Sequence, residues 1–185
     1  MMNTTETAAR YRRLAETLTR TVEAVPADGW ERPSPCEGWT ARDVLRHVID
    51  TQTYPLDPVG LTLPPVPDVD SDPVGAWAQT RDAVLDILDD PERAGLEYDG
   101  SLGRTSVAAT FGSFFCFDLV VHRWDLARAT GLDESIPTED LVLVTGFADR
   151  MGEQIRTPGV CGPAVEVPAE ADAQTRLLGR LGRRA

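Results

Sequence analysis

Asp118 and His122 stand four residues apart in the run Phe114-Phe-Cys-Phe-Asp-Leu-Val-Val-His-Arg-Trp-Asp125, and His122 is one of only two histidines in the chain. A helix turns about 100° per residue, so the two side chains lie about 40° apart on one face. On a helical wheel of residues 111–129, Phe111, Phe115, Leu126 and Ala129 gather around the pair, whereas Arg123 and Ala127 fall toward the opposite side. The carboxylate therefore sits in the middle of an apolar stripe. A buried, ionised carboxylate without a partner is strongly disfavoured, and no basic residue has the spacing to neutralise it on that face. A divalent cation could.

The second histidine, His47, borders the apolar stripe of Ala41, Val44, Leu45 and Val48 in Trp39-Thr-Ala-Arg-Asp-Val-Leu-Arg-His-Val-Ile-Asp50. Taken singly, His47 reads as a hydrogen-bonded border residue and Asp118–His122 as a simple hydrogen-bonded couple. Taken together, two neutral imidazoles and a carboxylate from two packed helices make a three-ligand set that leaves coordination positions open for water or substrate. Asp43 also precedes His47 by four residues. Its position in Thr40-x-x-Asp43 makes it instead the acidic member of a helix cap.

Two stretches carry a family resemblance: Pro33-Ser-Pro-Cys-Glu-Gly-Trp-Thr-Ala-Arg-Asp-Val-Leu-Arg-His47, and Asp118-Leu-Val-Val-His-Arg-Trp-Asp-Leu-Ala-Arg-Ala-Thr-Gly131. Together they resemble the DinB/YfiT-like metal-binding superfamily, and within it the mycothiol-dependent maleylpyruvate isomerase-like group. The ending, Gly162-Pro-Ala-Val-Glu-Val-Pro and Gln174-Thr-Arg-Leu-Leu-Gly, is similar to short members of that group. The resemblance implies a four-helix bundle in which His47, Asp118 and His122 hold a divalent metal. It departs at Asp118, where relatives often carry Glu, so the shorter side chain requires a closer approach of its helix. Zinc is the default ion for such ligands, and nickel, iron and manganese fit the same set.

The resemblance further implies a low-molecular-weight thiol, mycothiol, as co-substrate and a small electrophile as substrate, handled by an isomerase or a thiol S-transferase. Metal proximity stabilises the thiolate, the nucleophilic form. Two other classes stay open: a metal-dependent hydrolase, which would need Asp125 or Asp43 as its acid or base in the absence of a third histidine, and a non-enzymatic metal- or ligand-binding accessory protein of stress responses. Asp125, three residues after His122, has the position to orient the imidazole or a metal-bound water. Arg128 could hold a substrate carboxylate or pair with Asp125 or Glu134, and Trp39 is either a packing residue or a wall near the substrate. Cys36 lies in a Pro-rich turn ahead of the His47 helix and reads either as a small hydrophobe or as a residue touching the site. Cys116, about 160° around its helix from Asp118, is a poor ligand.

These residues need a frame. The pattern predicts an amphipathic first helix over residues 4–25, a second over 40–52, a Pro-rich extended crossover over 54–73 and a third helix over 73–89 with Trp77, Val84, Leu85 and Leu88 inward. A small hairpin is expected from 96–98 and 105–109, then the metal-bearing helix ending at Gly131, a helix over 138–156, a short strand over 163–167 and a closing helix over 171–181. The expected class is mainly α: a DinB-like four-helix bundle with a small β element and a C-terminal helical extension. One domain is expected throughout, with 1–131 as the metal-binding bundle and 132–185 packed on it.

The 185 residues, 42% hydrophobic, suffice for one core. A net charge of -12 argues against nucleic acid, and the basic run Arg10, Arg12, Arg13 and Arg20 reads as a solvated helix face. All 18 basic residues are Arg, which fits a high-GC coding bias and the bacteria that use mycothiol. No run reaches the roughly 18 apolar residues of a membrane span and the N-terminus lacks a signal core, so a cytoplasmic protein without membrane association is expected. Cys36, Cys116 and Cys161 are odd in number and widely spaced, which indicates neither a disulfide framework nor a Cys-x-x-Cys zinc site. A bundle of this kind could bury one helix face in a homodimer.

Overall fold

A computed structural model describes residues 3–157 and 160–184. In chain order the elements are α1 (Thr4–Ala24), α2 (Ala41–Asp50), α3 (Pro73–Leu88), a single turn α4 (Pro91–Ala94), strands β1 (Glu97–Gly100) and β2 (Gly103–Ser106), α5 (Val107–Thr110), α6 (Cys116–Thr130), α7 (Thr138–Met151) and α8 (Ala173–Arg180). The protein is mainly helical with a small two-stranded antiparallel sheet. No helix among the described residues is long and apolar enough to cross a membrane.

Helix starts follow local chemistry. Asn3 Oδ1 accepts from the Glu6 N–H and Glu6 accepts in return from the Asn3 N–H, a reciprocal cap on α1. Asp72 caps α3, whose first residue is Pro73, a position where the missing N–H costs nothing. Gly131 ends α6 with φ of 74°, a left-handed conformation that a side chain would strain.

α1 packs against α3 and α6, and α2 against α6 and α3, so these four helices close around one core. Tyr11, Leu18, Leu45, Trp77, Phe111, Phe115, Leu119 and Trp124 are fully buried in it. Two polar ties cross this core: Tyr11 donates to Gln52 Oε1 at 2.9 Å, and Trp77 Nε1–H donates to Thr19 Oγ1 at 2.9 Å. Such buried groups must be paired, because an unpaired one costs about 1–3 kcal/mol.

Several expectations need correction. The hairpin pairs Tyr98 with Thr105 and Gly100 with Gly103, so its loop is the two residues Ser101 and Leu102, and Val107 already begins α5. Residues 163–167 are not a strand: Val165 donates to the Gly179 carbonyl and lies along α8, with no strand beside it among the described residues. The helix expected over 138–156 changes character at Gly152, whose φ of 52° ends α7 before a 3-10 turn, Gly152–Arg156. On the third helix Trp77, Val84 and Leu88 are buried as expected, Leu85 is only partly buried, and Ile87 joins the core.

The helical wheel is corrected as well. A π-helical turn, Phe111–Phe115, precedes α6, so the α-helical spacing does not extend back to Phe111. α6 is also buried nearly all round. Arg123 is covered and donates to the Asp133 and Ser135 carbonyls, both at 2.6 Å, which pins the chain as it leaves α6 toward α7. Arg13 is not a free solvated charge either. It docks α7 on α1 through Asp140, itself 2% exposed, at 2.7 Å.

Candidate metal centre

The turn before α2 sets the near side of the site. Ser34 N–H donates to the Trp39 carbonyl, Trp39 N–H donates to the Cys36 carbonyl, and Gly38 supplies a left-handed residue with φ of 78°. The turn thus folds Cys36 and Trp39 back toward α2. The helix begins at Thr40, where Asp43 accepts from the Thr40 N–H at 2.9 Å and from its hydroxyl at 2.8 Å. Those bonds hold the Asp43 carboxyl below its usual range and commit it to the helix start.

His47 on α2 faces Asp118 and His122 on α6. His47 Nε2 lies 3.7 Å from Asp118 Oδ2, and His122 Nε2 lies 3.3 Å from Asp118 Oδ1. The imidazole centroids are 4.9 Å apart, and the three residues each offer a ligand atom within 4.8 Å of the others. Asp118 and His122 are buried, while His47 keeps about a quarter of its side chain exposed. The centre is therefore enclosed on the α6 side and reached from the α2 side.

The buried Asp118 Oδ2 has no hydrogen-bond partner among the described residues. An anionic oxygen left bare inside a protein is a costly arrangement, and a divalent cation between it and two imidazoles would satisfy it. The donor set fits such an ion chemically, with three protein ligands and room for another. Burial alone would raise the Asp118 pKa; the His122 charge and the closeness of both imidazoles lower it instead. For His122 burial alone would lower the pKa, and Asp118 and Asp125 together hold it well above its ordinary value.

Behind His122 lies a second arc. His122 Nδ1 is 2.9 Å from Asp125 Oδ2, and Asp125, with no exposed surface, accepts from Arg183 Nε at 3.1 Å and Nη2 at 2.8 Å. Burial would raise the Asp125 pKa, but the Arg183 charge and the His122 bond hold it down to about 2. Cys36 Sγ lies 3.4 Å from the same Asp125 oxygen. Cys36, His122 and Asp125 also gather their ligand atoms within 4.8 Å, yet Asp125 is already occupied by a guanidinium, whose charge opposes a cation there.

Trp39 covers the histidines, its ring centroid 5.0 Å from that of His47 and 6.4 Å from that of His122. Arg128 forms an ion pair with Glu134 at 3.0 Å and has no hydrogen bond to the cluster among the described residues. Cys116 is buried away from the centre, with burial pushing its thiol up to about 12. Sequence reasoning missed Arg183 and Cys161, which arrive from the end of the chain. The available signal was Asp125 itself, a second carboxylate on a covered helix and thus in need of a cation.

The fold and the cluster together define a helical bundle with a two-histidine, one-carboxylate centre between two of its helices. Residues 11–54 match the Mycothiol maleylpyruvate isomerase N-terminal domain family, a stretch that contains Cys36, Trp39 and His47. Two uncharacterized proteins of Mycobacterium tuberculosis, Rv0738 of strain H37Rv and MT0763 of strain CDC 1551, are each 28% identical over 181 residues, covering 94% of this chain and 95% of theirs. No solved structure matches the chain significantly. The likeness to the mycothiol maleylpyruvate isomerase family thus rests on residues 11–54.

Proposed function

We propose that the protein holds a divalent cation, zinc by its donor set, on His47, Asp118 and His122, and presents it to a low-molecular-weight thiol such as mycothiol. The reaction is that of an isomerase or thiol S-transferase on a small electrophile. The observation that carries this is the buried, unpartnered Asp118 Oδ2 set between two imidazoles.

Bound there, a divalent cation would stabilise the thiolate over the thiol at neutral pH. The chain's own residues do the rest. Asp125 accepts the Nδ1 proton of His122 and so leaves Nε2 as the ligand atom, the usual way a ligand imidazole is fixed. Trp39 walls the half-open side, where thiol and electrophile meet the centre. A hydrolase has less support: Asp43 is spent on the Thr40 cap and Asp125 on Arg183, so neither is free to serve as base to a water.

The same reading treats 132–185 as part of one domain with 1–131, because Arg183 completes the His122 support. It also places the protein in the cytoplasm, where reduced thiols prevail and its three free cysteines would persist.

The test is elemental analysis of the purified protein, followed by calorimetric titration of mycothiol into the zinc-loaded and the metal-free forms. One equivalent of metal and thiol binding only in the loaded form are expected. Absence of metal, or equal thiol binding with and without it, would overturn the reading.

A further inference from the structure

One guanidinium touches two sulfurs. Arg183 Nη2 lies 3.8 Å from Cys36 Sγ and Nη1 lies 3.8 Å from Cys161 Sγ, although the cysteines are far apart in sequence and lie in two different irregular segments. Both cysteines are half-buried, whereas Cys116 is sealed in the core. Neither the metal-ligand set nor the fold uses this convergence. Arg183 is already satisfied by Asp125 and by the Leu181 carbonyl, so it does not need the sulfurs.

From this geometry we infer that Cys36 and Cys161 form a redox pair beside the metal centre, oxidised by a low-molecular-weight disulfide. Thiol–disulfide exchange begins when a cysteine sulfur attacks one sulfur of a disulfide, and it proceeds through a mixed disulfide. The Cys36 sulfur attacks one sulfur of the disulfide, forming a mixed disulfide and releasing one small thiol. The Cys161 sulfur then attacks Cys36, forming the Cys36–Cys161 bond and releasing the second small thiol. Two protein thiols become one disulfide, one small disulfide becomes two thiols, and the two cysteine protons leave on them.

Joining the sulfurs requires the guanidinium to withdraw from its contacts with both. Withdrawal weakens the Arg183–Asp125 pair and removes the Cys36 S–H that faces Asp125, so the carboxylate that orients His122 loses two partners at once. The state of the pair is thereby coupled to the ligand imidazole.

The test uses the full-length protein, oxidised glutathione as the probe and peptide mapping under non-reducing conditions. The expected product carries a Cys36–Cys161 linkage with Cys116 still free; Cys161→Ser stops at a glutathione adduct on Cys36, and Cys36→Ser leaves Cys161 unlinked. Single adducts without the linkage in the parent protein, reaction of Cys116 at the same rate, or three unreacted thiols would each overturn the inference. The map needs no metal, so its outcome is independent of the metal and thiol reading above.

Discussion

His122 Nδ1 sits 2.9 Å from Asp125 Oδ2, three residues on along the same helix and fully buried. This bond fixes which nitrogen of the imidazole looks toward His47 and Asp118. Asp125→Asn keeps the shape but replaces the anion with an amide. Zinc affinity should fall on the order of 10- to 100-fold, the usual loss when a ligand's carboxylate support is removed. Competition with a chromogenic chelator measures it, and an unchanged affinity would show that His122 does not use Nε2 as a ligand.

How much of this was legible in the sequence depends on distance along the chain. Asp118 and His122 share a helix turn, and Thr40 and Asp43 share a cap, so local spacing places both pairs. Their meeting with His47 needed only the packing of α2 on α6. Arg183 could not be placed this way, because its 58-residue separation from Asp125 is bridged by tertiary packing that no periodicity records. A short strand was expected over 163–167, but Val165 and Val167 pack on Gly179, where an added Cβ would come within 2.6 Å of Val167. The π-helical turn at Phe111–Phe115 was hidden because its buried aromatics also satisfy an α-helical wheel.

Stability and metal affinity should respond to pH in opposite directions near neutrality. His122 has its pKa raised in the folded, metal-free protein, so its contribution is complete below the ordinary value of 6.5 and is lost as pH rises through the raised value. Asp118 and Asp125 are lowered, so theirs is complete above the ordinary value of 3.8 and is lost on acidification. The metal-free protein should therefore be most stable between these two ordinary values. Metal must displace the His122 proton, so zinc affinity should rise as the pH climbs above the ordinary value of 6.5 and through the raised one. Urea denaturation without metal and zinc titration at each pH check the two signs.

Asp43 and Asp118 each stand four residues before a histidine, and the structure assigns them different work. Asp43→Asn weakens a helix cap and should cost about 1 kcal/mol or less while leaving zinc affinity intact. Asp118→Asn should spare α2 and sharply reduce zinc binding, because the ligand charge is gone. Asp118→Glu should retain most of the binding, since it keeps a carboxylate ligand at that place. Paired zinc titrations and urea melts of the three variants separate capping from ligation.

The buried Arg183–Asp125 pair tests whether the C-terminal segment supports the centre or merely covers it. Breaking the pair with Arg183→Met leaves Asp125 buried with one cationic partner removed, a change that should cost about 3–5 kcal/mol. Adding Asp125→Leu removes the stranded charge and should recover much of that stability, as apolar replacement of a buried ion pair often does. Zinc affinity should not recover, because His122 then lacks the carboxylate at Nδ1. Denaturation and zinc titration of both variants therefore diverge if the pair orients the ligand. Parallel recovery of stability and affinity would mean that Asp125 serves packing alone.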